Sequence, residues 1–540
     1  MTPPAALSSS VSKRRTSRLS AAERSTQGCS PRTSRVARVR LTSQPLSPPE
    51  VLAVARAGET VELDPAVAST MAPARQAVEQ ALAEERVVYG VTTGFGALAD
   101  TVVPREQAEA LQHALVRSHA AGYGELVDDE VVRAMSLLRA RTLAAGRTGA
   151  RVEVVEALVA LLNAGVRVAV PRHGSLGASG DLAPMAHVAL ALTGEGWVCD
   201  ADGDRSPAGT ALARAGLEPL RLKVKDGLSL LNATEGMLAL LVLACEDLAV
   251  LADAADVCAA LSVEALLGTD RPFAAELQAL RPHPGQATSA ENLRTMLTGS
   301  PILASHRHSR HAVQDAYSLR CAPQVHGAAR DTLDWARTVR DRELGASVDN
   351  PVVLADGRVE STGNFHGEPL AFALDLLALA TCELGAISER RTDRCLDPAR
   401  SHGLPPFLAP QAGLHSGFML AQYTAASLVA ENRRLAVPAS ADSIPTSGMQ
   451  EDHVSLGWSA GCKLRQALDN LAGVLGVEAL IASAGIELRA PLRPSDRSAA
   501  VLRRLRAEVP AMPSDRFLAE DLAKAGHLVR SGALVEVLDG

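Results

Sequence analysis

The run Gly174-Ser175-Leu176-Gly177-Ala178-Ser179-Gly180-Asp181-Leu182-Ala183-Pro184 holds three residues whose order permits an internal condensation. The Gly180 nitrogen can attack the Ala178 carbonyl. Water then leaves the new ring and the Ser179 side chain. The product is a methylidene-imidazolone (MIO), whose exocyclic alkene is a strong electrophile. Glycine in third place leaves no side chain in the way of the tight approach, and serine in second place supplies the leaving hydroxyl. Ala-Ser-Gly alone carries no signal; the extended run is highly specific. The competing reading is a phosphate-friendly helix N-terminus, but the Lys-Ser/Thr of a Walker loop does not follow.

Five further blocks stand along the chain. They are Tyr89-Gly90-Val91-Thr92-Thr93-Gly94-Phe95-Gly96, Asn232-Ala233-Thr234, Gln314-Asp315-Ala316-Tyr317-Ser318-Leu319-Arg320, Gly363-Asn364-Phe365-His366-Gly367 and Met449-Gln450-Glu451-Asp452-His453-Val454. Together with the 174–184 run they resemble the histidine/phenylalanine ammonia-lyase family over about residues 40–540. Deaminating an α-amino acid means expelling a poor leaving group and removing a weakly acidic β-proton. No metal or pyridoxal phosphate site is evident, so the chain must supply both electron sink and base.

The resemblance implies the roles. It makes Ala178, Ser179 and Gly180 the MIO and Tyr89 the base. A tyrosine can serve so only if positive charge or hydrogen bonding lowers its pKa; otherwise Tyr89 packs a glycine-rich loop. Arg320 becomes the clamp for the substrate carboxylate, since a guanidinium binds it bidentately; the bland alternative is a surface ion pair. Tyr317 and Asn232 orient the MIO and the substrate, although Asn232 also reads as a helix cap. Gln314 holds the site through its amide, and Phe365 walls the pocket. Asp181 assists ring formation, caps the next helix, or does both.

Two blocks bear on the substrate. Ser118-His119-Ala120-Ala121-Gly122 resembles the histidine branch, whereas phenylalanine and tyrosine lyases tend to carry Phe-Leu or His-Leu at 118–119. The Gln450-Glu451 pair also resembles that branch, and Glu451 can bind an imidazole or share proton transfer. The implied reaction is L-histidine to trans-urocanate and ammonia. A tyrosine/phenylalanine ammonia-lyase or a 2,3-aminomutase using the same MIO is the alternative. Three departures stand out: Thr92 where histidine lyases carry Asn or Ser, Ala233 for a usual Gly, and Met449 for a frequent Asn. A scaffold without MIO is the rival from another class, and Tyr89, Ser179, Tyr317 and Arg320 together weigh against it. The fumarase/argininosuccinase group is rejected as a function, because its Gly-Ser-Ser-x-Met-Pro-x-Lys-x-Asn loop is missing.

These side chains need a scaffold. The chain has 540 residues, 47% of them hydrophobic but only 3% aromatic, so Ala, Leu and Val must fill the core. That bias favours helices. Helical patterns cover 236–267, 310–342, 367–389, 412–434 and 453–485. The expected fold is mainly α: a long-helix bundle of fumarase/aspartase-like architecture with an N-terminal MIO-bearing subdomain. The expected division is 1–40 as a disordered basic extension, 41–235 with the MIO, 236–490 as the central bundle and 491–540 as short helices. Ser47 and Pro48 open the first helix.

Net charge is −7 overall but +8 over residues 1–40, which leaves −15 for the body. An acidic body argues against nucleic acid as a partner. The head has no apolar core of a secretory signal. Eight cysteines without a C-x-x-C pair read as buried free thiols in a cytoplasmic enzyme. The long apolar stretch 236–268 is interrupted by five acids, so no membrane span is expected there. The resemblance further implies a homotetramer whose sites draw on several subunits.

Overall fold

The computed structural model describes residues 38–200, 202–309 and 312–538, so the expectation for the basic head lies outside them up to residue 37. Long helices dominate: Glu235–Ala265, Ala322–Leu344, Glu368–Leu396, Met419–Leu435 and Gly457–Glu487. The first is buried along most of its length. Acids that interrupt its apolar run meet basic side chains of neighbouring helices. Asp247 faces Arg56 and Arg465, and buried Asp256 faces His326 and Arg330. Such pairs keep a charge tolerable inside a bundle.

Three helix starts differ from the sequence expectation. The 310–342 pattern becomes a turn of helix at Tyr317–Arg320 and a helix at Ala322–Leu344, with Pro323 in its first turn. The 412–434 pattern begins only at Met419, because Gly413 and Gly417 take positive φ of 100° and 56°. The 453–485 pattern begins at Gly457, after Leu456 adopts left-handed backbone. At the N-terminal end Ser47 precedes the helix Pro48–Ala55 as expected, and its N–H donates to the Glu50 carboxylate at 2.8 Å.

Strands are few and short. One antiparallel pair matters for function: Tyr123 pairs with His173, which draws the 118–122 block beside the 174–184 run. A main hydrophobic cluster runs from Val39 to Leu534, and a smaller one gathers Ala74, Val78, Val91 and Val224.

Glu368–Leu396 and Gly457–Glu487 are long and apolar enough to cross a membrane, yet they pack on each other, with 61% and 78% of their most apolar windows buried. The seven described cysteines are free. Only Cys245, Cys258 and Cys395 are buried; the other four are half-buried, because their elements turn one face to solvent.

Three long helices start at the same place. A side chain at Gly177 would strike Ser455 Oγ at 2.2 Å and approach Met237 Sδ and the Gly457 nitrogen. The Gly367 N–H donates to the Gly177 carbonyl at 3.3 Å. The N-termini of Glu235–Ala265, Glu368–Leu396 and Gly457–Glu487 thus converge beneath the glycine-rich loop. Their partial positive charges favour electron density gathering there.

Candidate active site

Gly180 has φ of +78°, and a Cβ there would lie 2.2 Å from the Ala233 carbonyl oxygen. Only glycine fits. Next to it, the Asp181 N–H donates to that same carbonyl at 2.6 Å. Asp181 stands at the cap position of Leu182–Leu192, but its carboxylate turns elsewhere. It accepts from the Met237 N–H at 2.8 Å and the Ser175 hydroxyl at 2.9 Å. Complete burial pushes this carboxyl up to about 7, against the pull of those donors. Ala178 is buried and Ser179 half-buried.

Glu451 approaches from the 446–451 turn. Its Oε1 accepts from the Ser179 hydroxyl at 3.5 Å, and its Oε2 from the Thr446 hydroxyl at 2.9 Å. It is half-buried, not a solvated acid at a helix start. Gln450 beside it is exposed.

Tyr89 lies in the glycine-rich loop, its ring edge-on to Phe95 at 6.3 Å, and its hydroxyl accepts from the Gly96 N–H at 3.1 Å. Burial raises its pKa; the Gly96 hydrogen bond opposes this and the Glu451 carboxylate adds to it. The expected lowering by positive charge is thus not met within one chain, since the charge acting on the phenol is negative. His119 Nδ1 lies 3.0 Å from both Ser118 Oγ and the Leu115 carbonyl. Burial lowers its pKa, while the Leu115 carbonyl and the Glu451 carboxylate pull it up. Glu451 therefore acts on Tyr89 and His119 alike.

Asn232 is buried at the end of the helix Asp226–Leu231, and its amide donates to the Asn350 carbonyl at 2.8 Å. Phe365 is half-buried in the 361–367 loop that enters Glu368–Leu396. There His366 Nε2–H donates to the His453 carbonyl at 3.2 Å. Donor atoms of His366, Glu368 and His453 lie within 4.8 Å of one another, the one such cluster of metal-ligand type among the described residues.

The remaining candidates are elsewhere. Tyr317 is exposed, with the Arg320 guanidinium 4.5 Å from its ring centre. Gln314 is exposed too, and it lines a cleft of about 740 Å³ with Arg271, His306, Asp315 and Arg320. Asp315 accepts from the Thr269 N–H at 2.8 Å, just beyond the C-terminal end of Glu235–Ala265. Asp181 is bound at that helix's opposite end. A helix of 31 residues spans about 46 Å. One chain therefore holds Ser179, Glu451, Tyr89, His119 and Asn232 at one end, and Tyr317, Arg320 and Gln314 at the other.

A profile described as aromatic amino acid lyase matches residues 46–507. The chain belongs to the aromatic amino acid lyase family. Among its relatives, a histidine ammonia-lyase of Streptomyces griseus is 56% identical over 493 residues, covering 91% of this chain and 96% of that one. A solved histidine ammonia-lyase of Trypanosoma cruzi superposes with a TM-score of 0.85 at 39% identity, covering 93% and 95% of the two chains. A tyrosine aminomutase of Streptomyces globisporus also gives 0.85, at 37% identity, covering 93% and 98%.

For an aromatic amino acid lyase that uses MIO, the loop fits. Position 180 admits no side chain, Ser179 keeps a free path to a carboxylate, and Asp181 is fixed behind them. Two of the three departures are also accounted for locally, and the structure gives no reason for Met449. Thr92 Oγ1 donates to the Arg86 carbonyl at 2.7 Å and accepts from the Val88 N–H at 2.9 Å, so it shapes the Tyr89 loop. Ala233 offers its backbone, not its methyl group, to Gly180. Sequence reasoning missed Ser175, Thr446 and Asn350, each of which grips a candidate residue. Ser175 lay inside the quoted run; the other two had no spacing signal.

Proposed function

We propose that this aromatic amino acid lyase removes ammonia from L-histidine to give trans-urocanate, using an MIO built from Ala178, Ser179 and Gly180. The observation that carries the reading is Glu451, which reaches Ser179 and acts on Tyr89 and His119 together. Relatives named histidine ammonia-lyase support the substrate. Asp181, tied to Ser175 and Met237, holds the loop for ring closure. An MIO formed there would be held between the Ala233 carbonyl and Asp181 and would supply an electron-poor alkene that makes the substrate amine a better leaving group.

The chain's own residues do the rest. Tyr89 takes the β-proton at its phenol oxygen; the C–H electron pair becomes the Cα=Cβ bond as the C–N bond breaks. His119, whose Nδ1–H is taken by the Leu115 carbonyl at 3.0 Å, turns its Nε2 to the substrate imidazole as an acceptor. Glu451, with Gln450 beside it, binds the ring N–H. A site built for a polar ring rejects phenyl rings, which leave its polar groups unpaired. Arg320 clamps the carboxylate, Tyr317 and Asn232 orient the reacting groups, Gln314 supports them and Phe365 walls the pocket.

The separation of the two residue groups along Glu235–Ala265 supports a site shared between copies, and hence a homotetramer. Arg320 of a neighbour then supplies the positive charge that Tyr89 lacks in one chain. An exposed apolar stripe, Phe372, Leu376 and Leu379, runs along Glu368–Leu396 and fits burial against another copy. Residues 41–235 act as the MIO-bearing unit, 236–490 as the bundle and 491–540 as its short-helix cover, in a cytoplasmic enzyme whose partners are its substrate and its own copies.

Incubation with L-histidine, with L-tyrosine and L-phenylalanine as controls, tests the reading. Urocanate absorbance should rise with L-histidine alone. The tyrosine aminomutase likeness favours a second reading, an aminomutase. A β-amino acid found by mass spectrometry would establish that one instead.

A further inference from the structure

Behind Asn232 lies a buried charged unit that the mechanism does not use. Lys225 and Asp349 both have side chains with no exposure, and Lys225 Nζ donates to Asp349 Oδ2 at 2.6 Å. The Ser229 hydroxyl donates to the same oxygen at 2.9 Å. Arg139, also fully buried, closes the unit. It donates to the Ser229 carbonyl at 2.7 Å, the Val348 carbonyl at 2.9 Å and the Glu235 carboxylate at 3.0 Å.

The unit reaches the site through Asp349. Asp349 Oδ1 accepts the Asn350 N–H at 2.7 Å. The Asn350 carbonyl accepts the Asn232 amide at 2.8 Å, and Asn350 Oδ1 accepts the Thr362 N–H at 3.1 Å. Thr362 begins the loop that carries Phe365. One residue therefore joins Asn232 to the loop that carries Phe365, and a buried ion pair fixes it.

We propose that Asp349, locked by Lys225, is a positioning residue that sets the orientation of the Asn232 amide through the Asn350 backbone. This rests on the reading of Asn232 as a group that orients MIO and substrate. Burying two charges is costly, and an apolar pair of similar volume often stabilises a fold at least as well. What an apolar pair cannot do is hold the Asn350 N–H in one direction. Held there, Asn350 ties one branch of the Asn232 amide and fixes the direction of the other. A small misplacement of such a group is enough to slow chemistry by about a hundredfold.

The test uses the full chain in four forms: Asp349→Asn, Asn232→Ala, both together, and Lys225→Met/Asp349→Leu. Expected for Asp349→Asn is a fall in kcat of about ten- to a hundredfold. The mass of the 178–180 peptide stays as in the wild type, and Asn232 turns away from the Asn350 carbonyl in a crystal structure. In the Asn232→Ala background the same change has no further effect, because the residue it acts through is gone. The apolar pair recovers thermal stability but not kcat. Equal losses in both backgrounds, or recovery of kcat with the apolar pair, overturn the proposal in favour of a plain stabilising pair. If Asp349→Asn does not fold, the apolar pair carries the comparison. A wild-type protein inert toward L-histidine refutes the functional reading; the Asn232 orientation in the variants still decides this one, and an unchanged Asn232–Asn350 bond overturns it.

Discussion

The Ser179 hydroxyl lies 3.5 Å from Glu451 Oε1, although 272 residues separate them in sequence. The residue proposed to lose its hydroxyl and the residue proposed to read the substrate ring are thus neighbours. Changes at the two should separate. Ser179→Ala leaves the fold intact but lowers kcat by at least about 10³-fold, since no alkene forms. Activity within tenfold of wild type contradicts the assignment of Ser179.

Glu451→Gln removes the negative charge that raises the Tyr89 pKa. The sign follows directly: without that like charge the phenol ionises more easily, so the ascending limb of the pH–rate profile moves to lower pH. The variant also loses preference for L-histidine over L-phenylalanine. Profiles of kcat/KM against pH for both proteins check this, and a limb that stays put or moves upward argues against the Glu451–Tyr89 coupling.

Arg320→Lys keeps the charge but loses the planar fork, and KM for L-histidine should rise about tenfold or more. Binding of histamine, which lacks the carboxylate, should hardly change. Equal losses for both ligands place Arg320 outside the carboxylate clamp.

If sites are shared between copies, two inactive chains can repair each other. Co-expressed Ser179→Ala and Arg320→Ala chains should form mixed assemblies with some sites built wholly from intact halves. Activity above either variant alone supports the about 46 Å separation as a division between subunits. No activity in purified mixed assemblies contradicts it.

Asp181 sets a pH dependence of stability. Its carboxyl is raised from 3.8 to about 7 by burial. The folded state therefore keeps a proton that the unfolded state releases, and stability falls as pH rises between those values. The full effect is on the order of 4 kcal/mol. Asp181→Asn removes this component, so the stability advantage of wild type over variant should be larger at pH 5 than at pH 8. Denaturant midpoints at the two pH values decide it, and a pH-independent difference sinks it.

Much of this was readable in the sequence because it was local. The 174–184 run carries its own chemistry, and the apolar pattern at 236–267 became Glu235–Ala265 within two residues at either end. Where helix starts slipped, local signals were present and outweighed: Pro323 marks a first turn, and Gly413 and Gly417 break the pattern before Met419. The Lys225–Asp349 pair had no such signal. Its members lie 124 residues apart, and charged residues of this kind are ordinarily solvated. The Tyr89 pKa was unreadable for another reason: it depends on burial and on the Glu451 carboxylate, which the fold brings in from a distant part of the sequence.

If residues 178–180 condense to an electrophile, the proteolytic peptide that spans them in the purified protein is lighter than the coded sequence by two waters. The same peptide from Ser179→Ala shows no shift beyond the lost oxygen. A wild-type peptide at its full coded mass, from protein that turns over L-histidine, would contradict the condensation.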